Sequence, residues 1–200
     1  GVILGSVVRG VAGAFAPVVK RLWGLDMLIV SPDMPIGVRV DVPNPETVGI
    51  DRLLISGEAY AETTTSTVVV GVGTAITVDV VTRDGVYLGG TISPGLRTST
   101  WALSERTSLL PDVDVDVDDD EGSVPKSTPS SIRTGVILGT AGAVDRLISE
   151  LAERAGLADY KVILTGGDSH RLSRFLDTNH DIRDDLLLKG LASTYHRLLE

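Results

Sequence analysis

Three short stretches of the sequence carry residue types that could do chemistry on a phosphorylated ligand. The first is Gly73-Thr74, in a Gly-x-Gly-Thr turn that joins the apolar, β-branched runs 68–72 and 75–81. The backbone amides and the hydroxyl of such a turn suit a phosphate group. The turn lacks the lysine of a P-loop and the helical exit of a dinucleotide-binding fingerprint. Taken alone, it is therefore either a phosphate-binding loop or a plain hairpin.

The second stretch is Gly49-Ile50-Asp51-Arg52, which places a carboxylate beside a guanidinium close to the start of a predicted helix. A carboxylate can accept the proton of a substrate hydroxyl, and a guanidinium can hold an acid group. The preceding glycine permits a ligand to approach closely. The alternative interpretation of this pair is an ordinary ion pair at the surface.

The third stretch is Thr165-Gly166-Gly167, which follows a predicted strand and opens a helix. This geometry lets the backbone approach a ligand such as a nucleoside, although a tight turn without a ligand is the alternative. The three histidines show no spacing typical of metal ligands, and we expect structural roles for them. They are His170, His180 and His196.

An acidic run at 112–121, DVDVDVDDDE, has the first ligand spacings of an EF-hand calcium loop. Val117 stands where that loop needs glycine, and Ser123 stands where it needs glutamate. We therefore favour a solvated acidic strand edge and loop over a calcium site.

The elements that must position these residues follow an α/β pattern. Residues 2–30 predict a strand, a helix closed by Gly24 and a second strand, which favours a parallel pair. Asn44 and Pro45 predict the start of the next helix. The remaining predicted elements are a strand at 38–42, an antiparallel meander over 68–92, helices at 96–110 and 127–154, a strand at 161–165 and a helix from 184.

Composition narrows the class of protein. The formal net charge of −9 argues against a general binder of nucleic acid, which needs a basic face. The absence of cysteine excludes disulfides and fits a reducing, cytoplasmic compartment. No apolar run is long enough to span a membrane. The chain begins inside an apolar run without an initiator methionine, so we expect it to be a fragment.

Taken in order, these motifs resemble the type III pantothenate kinases, members of the acetate and sugar kinase/Hsp70/actin superfamily. The resemblance spans nearly the whole chain. The matching stretches are Asn44-Pro45, Gly49–Arg52, Gly73–Asp79, Tyr87–Ser99, Glu105–Thr107, Leu110-Pro111, Ser127-Thr128, Ser131-Ile132, Gly139, Ala141-Gly142, Val144-Asp145 and Thr165–Gly167.

The resemblance implies a fold and a reaction. The fold is α/β and actin-like (ribonuclease H-like), with duplicated mixed sheets flanked by helices. Residues 1–36 would be the remnant of a truncated first half, and residues 37–200 the second half with substrate and dimerisation elements. The reaction is the transfer of phosphate from ATP, with Mg²⁺, to the primary hydroxyl of pantothenate. It gives 4′-phosphopantothenate, the first step of coenzyme A biosynthesis.

The resemblance also implies site residues, with Asp51 as the catalytic proton acceptor. Thr128 would reach the substrate from the partner subunit of a homodimer. The implied substrate-binding residues are Val42, Gly49, Ile50, Asp51, Arg52 and Thr128, and the implied ATP-binding residues are Gly73, Thr74, Thr165, Gly166 and Gly167. A strip of glycines on one face of the helix at 127–154 (Gly135, Gly139 and Gly142) also favours close helix–helix or helix–sheet packing, either within the chain or between subunits.

Three departures from the family pattern bear on activity. Nothing in the chain corresponds to the family's Asp-x-Gly-Asn-Thr phosphate loop. Gly71 stands where the family has an aspartate that binds K⁺ or NH₄⁺, and Val42 stands where it has a tyrosine. We therefore expect this chain alone to be inactive. The alternative is a divergent, non-catalytic homologue that acts as a ligand-binding or regulatory dimer.

Overall fold

The computed structural model describes residues 1–8, 10–116 and 123–199. The strands are β1 (Val2–Leu4), β2 (Met27–Ile29), β3 (Arg39–Val40), β4 (Thr67–Val72), β5 (Ala75–Val81), β6 (Val86–Pro94), β7 (Lys161–Thr165) and β8 (Asp181–Ile182). The helices are α1 (Val11–Trp23), α2 (Ile50–Thr63), α3 (Leu96–Arg106), α4 (Thr128–Arg154), α5 (Ser169–Ser173) and α6 (Leu186–Arg197).

The described strands form two sheets. β1 and β2 pair in parallel on either side of α1 in the chain, which confirms the predicted β-α-β start. The larger sheet has the order β3-β6-β5-β4-β7-β8. Its centre is the predicted antiparallel meander of β4, β5 and β6, and its outer strands pair in parallel. The boundary between two halves near residue 36 stays a prediction.

The central strand β4 is buried on both of its faces, which explains its run of valines. Val68 and Val70 pack toward α4, against residues such as Val144 and Ile148. Val69 points to the opposite face and joins a cluster that also contains Ile55 of α2 and residues of β7 and α6. Helices therefore cover both faces of the sheet, and its carboxyl-terminal strand ends are left to form the site.

Two predicted helix boundaries are wrong. The segment after Asn44 forms only a short 3₁₀ turn, Pro45–Thr47, and the Asn44 side chain makes no capping hydrogen bond. Val48 is extended, so the turn closes and α2 begins only at Ile50. Similarly, α3 ends at Arg106 rather than near residue 110, because Thr107 has an extended backbone. The predicted start of α4 is confirmed by a capping box between Ser127 and Ser130.

The described part of the acidic run is a loop rather than a strand, so the expected strand edge is wrong over residues 112–116. Asp114 and Asp116 lie within ion-pair distance of Arg97. Within the described residues, no group of three or more histidine, aspartate or glutamate side chains could hold a metal ion. Residues 117–121 of the run lie outside the described part.

Among the described residues, no helix has the length and apolar character needed to cross a membrane.

Candidate functional site

One cavity of about 620 Å³ brings together residues from all three stretches singled out in the sequence. It lies where the carboxyl ends of β4 and β7 meet the start of α2. The side chains of Val7, Ile55, Leu187 and Leu188 make much of its wall apolar. The predicted residues that line this first cavity are Asp51, Arg52, Gly71, Gly73, Thr74, Thr165 and Gly166.

Asp51 is the second residue of α2, and its carboxylate folds back over the start of the helix. Its Oδ1 accepts a hydrogen bond of 2.9 Å from the backbone amide of Arg52. The positive end of the helix dipole also favours a carboxylate here. Gly49 makes the arrangement possible, since a Cβ at this residue would lie only 2.5 Å from that oxygen. The lack of a side chain at Gly49 therefore leaves room for the Asp51 carboxylate.

Arg52 does not form the surface ion pair with Asp51 that was the alternative interpretation. Its guanidinium instead binds Asp79 of β5, with Nε 3.2 Å from both carboxylate oxygens and Nη2 2.5 Å from Oδ1. The Tyr87 hydroxyl donates a further hydrogen bond of 2.7 Å to the same Oδ1. Asp79 and Tyr87 are fully buried, and the Arg52 side chain is 13% exposed. We call these three residues the buried triad.

Two pKa shifts follow from the geometry of the buried triad. Burial lowers the pKa of Arg52, but its hydrogen bond to Asp79 and the charge of that carboxylate outweigh this effect and raise it. Burial, followed by the charge of Asp79, raises the pKa of Tyr87 far above its ordinary value. Both shifts favour a charged Arg52 and a protonated Tyr87, which acts as a hydrogen-bond donor.

The turn Gly73-Thr74 separates the first cavity from a second one of about 420 Å³. The second cavity is lined by Gly73, Thr74, Arg97, Thr98, Trp101, Gly167 and Asp168. The Trp101 side chain is 58% exposed, which is unusual for so large an apolar ring. The Asp168 side chain is only 13% exposed and lies 3.7 Å from the Arg97 guanidinium. This cavity therefore combines an aromatic ring, a carboxylate and a glycine turn.

Charged side chains at the edge of the second cavity form ion pairs with one another. The Arg97 guanidinium donates a hydrogen bond of 2.7 Å to Asp116, which raises the pKa of Arg97 and lowers that of Asp116. Arg171 donates to the other oxygen of Asp116 at 3.0 Å. The loop at 112–116 is thereby fastened to α3 and α5.

Five of the predicted residues do not line the first cavity. Ile50 is buried in the core beneath α2, and Val42 packs against the same cluster. Gly49 lies behind Asp51, and Thr128 is exposed at the first residue of α4. Gly167 lines the second cavity rather than the first.

The histidines lie at the margins of these cavities or away from them. His170 contacts Asp184, another residue of the first cavity, at 2.9 Å. His180 contacts the Ser173 hydroxyl at 2.9 Å and the Thr178 carbonyl at 2.6 Å. His196 packs edge to face against Tyr195. None of these contacts reaches Asp51 or the Gly73-Thr74 turn.

Comparisons with known proteins show the family to which the chain is similar. The family model described as type III pantothenate kinase matches residues 1–150. A type III pantothenate kinase of Rubrobacter xylanophilus is 36% identical over 96% of the chain and 74% of its own length. Those of Geobacter sulfurreducens and Agathobacter rectalis are 34% and 31% identical, each over 98% of the chain and over 76% and 74% of their own lengths.

A solved structure also resembles the fold. A Campylobacter jejuni protein described as a Baf family transcriptional activator superposes with a TM-score of 0.66. It is 20% identical in sequence, and the match covers 98% of this chain and 82% of that one. This likeness concerns the fold alone, and it agrees with the predicted class of a mixed sheet flanked by helices.

Proposed function

The chain belongs to the type III pantothenate kinase family, and we propose that its site phosphorylates pantothenate at the expense of ATP, giving 4′-phosphopantothenate for coenzyme A biosynthesis in the cytoplasm. One observation carries the proposal. A helix-start carboxylate, Asp51, lines the same cavity as the Gly73-Thr74 turn and the Thr165-Gly166 turn. No observation favours the non-catalytic alternative.

Asp51 is the proton acceptor in this proposal. Its carboxylate takes the proton of the primary hydroxyl as the hydroxyl oxygen bonds to the γ-phosphorus of ATP. The bond from that phosphorus to the β–γ bridging oxygen breaks, and ADP leaves. Mg²⁺ bound to ATP would neutralise the phosphate charges. The protein contributes chiefly by position, because the cavity holds the hydroxyl and the phosphate turn side by side.

The nucleotide would lie on both sides of the Gly73-Thr74 turn. The Thr74 hydroxyl and the backbone of the turn would suit the phosphates, which would lie toward Asp51, whereas the Gly73 amide already donates to the Ala75 carbonyl. The nucleoside would occupy the second cavity beside Gly167, where Trp101 offers an aromatic face. Thr165-Gly166-Gly167 would then be the turn between the two parts of the nucleotide.

Pantothenate would occupy the apolar part of the first cavity. Asp51 and Arg52 face it directly, whereas Gly49 and Ile50 support it by shaping the start of α2. Val42 packs in the core cluster that contains Tyr87 and would act from behind the substrate. Its apolar side chain supplies no hydrogen bond there.

A monovalent cation would find no carboxylate at Gly71, although this residue lines the first cavity. Glycine offers no side-chain ligand, so we propose turnover that does not depend on K⁺ or NH₄⁺. This property would distinguish the chain from family members with aspartate at the same position.

A homodimer would complete the site. Gly135, Gly139 and Gly142 are exposed on α4, and a Cβ at any of them would meet none of the described atoms within 4 Å. Leu138 is exposed on the same helix. A second copy packed on this face could bring its own α4 start, and with it Thr128, toward the substrate.

The experiment that tests the function compares the protein, as its gene encodes it, with its Asp51→Asn variant. We expect the wild type to convert pantothenate and ATP to 4′-phosphopantothenate and ADP. The variant should lose about a thousandfold in kcat, because proton acceptance contributes on that order. Its calorimetric Kd for pantothenate should change by less than about threefold. Wild-type binding without turnover would favour the non-catalytic alternative, and absence of binding would contradict both functions.

A further inference from the structure

The buried triad contains an ion pair between Arg52 and Asp79, and the Asp79 carboxylate is fully buried in the sheet. Asp79 lies in the middle of β5, between the buried residues Val78 and Val80. The neighbouring strand makes room for it, since a Cβ at Gly90 would lie 2.7 Å from the Asp79 Oδ1. Taking two charges out of water is costly, and apolar side chains of similar volume often replace a buried ion pair without loss of stability. The triad therefore calls for a reason other than stability.

The position of Arg52 supplies that reason. Its Nε and Nη2 are held by Asp79, and the Tyr87 hydroxyl holds the oxygen that Nη2 contacts. Within the described residues, its Nη1 makes no hydrogen bond, and Arg52 lines the first cavity next to Asp51. Because a guanidinium is planar, hydrogen bonds along its Nε–Nη2 edge also fix the orientation of the Nη1 donors.

We propose that Asp79 and Tyr87 are positioning residues that hold Arg52 so that its Nη1 donors bind an oxygen of the acceptor substrate. This inference rests on the proposed function, and it names the part of the site that fixes pantothenate. Asp79 and Tyr87 touch no substrate; they act through Arg52. Loss of either should weaken pantothenate binding while leaving ATP binding and the chemical step intact.

The test uses three single variants, Asp79→Asn, Tyr87→Phe and Arg52→Gln, and the double variant Arg52→Gln/Asp79→Asn. Asp79→Asn keeps the side-chain volume but gives Arg52 only one acceptor oxygen. We expect it to raise the KM and the calorimetric Kd for pantothenate about tenfold, the usual effect of a charge-assisted hydrogen bond. Its kcat and its KM for ATP should stay within about threefold of the wild type. Tyr87→Phe should raise the pantothenate KM by about threefold, since it leaves the ion pair between Arg52 and Asp79 in place and removes only a support of the carboxylate.

The double variant separates positioning from other roles. If Asp79 acts only through Arg52, the double variant should bind pantothenate no more weakly than Arg52→Gln alone. Asp145→Asn is the matched control, because Asp145 also accepts hydrogen bonds but lies away from both cavities. It should lower the melting temperature without changing the pantothenate KM. If Asp79→Asn does not fold, the pantothenate KM of Tyr87→Phe alone tests the positioning role, since this variant leaves the ion pair between Arg52 and Asp79 in place.

The outcomes distinguish this inference from the function on which it rests. A wild type that binds no pantothenate overturns both. A wild type that binds it, with folded variants that bind it equally well and merely melt earlier, overturns the positioning role and leaves the function standing.

Discussion

The hydroxyl of Thr98 donates a hydrogen bond of 2.6 Å to the backbone carbonyl of Thr74. Thr98 lies in the first turn of α3, and Thr74 lies in the turn that separates the two cavities. The Gly95 amide donates to the same carbonyl at 2.9 Å. The Gly73-Thr74 turn is thus fixed by the start of the following helix, and the Gly73 amide donates to the Ala75 carbonyl at 3.1 Å, so the turn keeps its shape without a ligand.

Removal of this bond should loosen the phosphate turn. Thr98→Val keeps the side-chain shape and should raise the KM for ATP by about fivefold, since one hydrogen bond contributes about 1 kcal/mol. The KM for pantothenate should not change. Thr107→Val is the control, because its hydroxyl donates to the Leu103 carbonyl of the same helix away from the cavities. Equal effects of the two variants on the KM for ATP would contradict the role of Thr98.

Nucleotide binding should change the fluorescence of Trp101. The chain has two tryptophans, and Trp23 lies on α1 away from the second cavity. In Trp23→Phe, titration with ADP should therefore still give a saturable change, because a base would stack on the remaining indole. In Trp101→Phe the change should vanish. If the fluorescence change is lost in Trp23→Phe and kept in Trp101→Phe, the nucleoside does not bind in the second cavity.

Most of the fold could be predicted because its elements are set by local patterns. The glycine that ends α1, the capping box of α4 and the apolar, valine-rich runs of β4 and β5 each act within a few residues. The predicted helix start at Asn44 is wrong, and the reason also lies within a few residues. The Asn44 side chain makes no capping hydrogen bond and Val48 adopts extended backbone, so a single 3₁₀ turn replaced the helix.

The site was less predictable because its contacts are long-range. Asp51, Arg52 and the Gly73-Thr74 turn were found from their residue types, but the partner of Arg52 lies 27 residues away on another strand. One signal could have found it: Asp79 is a lone carboxylate inside the apolar run at 75–81. Trp101 and Asp168 gave no such signal, since only the packing of α3 against the strand ends brings them together.

Asp145 should make stability depend on pH. Burial raises the pKa of its carboxyl, but the hydrogen bond of the Thr178 side chain, followed by those of the Asp177 and Thr178 amides, outweighs this and holds the pKa below the ordinary value of 3.8. A depressed pKa adds stability above the unfolded value, and that stability is lost as the pH falls through the folded value. Asp145→Asn should therefore cost about 1 kcal/mol of unfolding free energy at pH 7.

Urea unfolding of wild type and Asp145→Asn at several pH values checks this. The difference between the two proteins should be constant from pH 7 to about 5 and should shrink below pH 3.8. Glu150→Gln, which breaks an exposed pair on the same helix, should have a much smaller effect. A difference that grows in acid would contradict the direction of the shift.

The turnover rate should not depend on which monovalent cation is present. Initial rates in NaCl and in KCl should agree within about twofold, because Gly71 offers no ligand oxygen from its side chain. Gly71→Asp should make the rate several-fold higher in KCl. The new Cβ would lie 2.8 Å from the Thr77 hydroxyl, so this variant should also melt earlier unless Thr77 turns away. A wild-type rate that already requires K⁺ would show that another group binds the cation.

Mixing two inactive variants should restore activity if the partner subunit supplies Thr128. Asp51→Asn removes the proton acceptor, and Thr128→Arg blocks the start of α4, which is exposed in the single chain. A mixed dimer then contains one site with Asp51 from one subunit and Thr128 from the other, both intact. After unfolding and refolding an equimolar mixture, we expect about a quarter of the wild-type rate, because half of the dimers are mixed.

Sedimentation of each variant should first show a dimer, and Gly139→Arg should convert it to a monomer by placing a long charged side chain on the exposed glycine strip. Glu153→Arg, farther along the same helix, should leave the dimer intact. If the dimer forms but the mixture stays inactive, Thr128 acts in its own subunit or not at all. Recovery of the rate would instead mean that pantothenate is held by two chains, which would explain why Thr128 lies away from the cavity that contains Asp51.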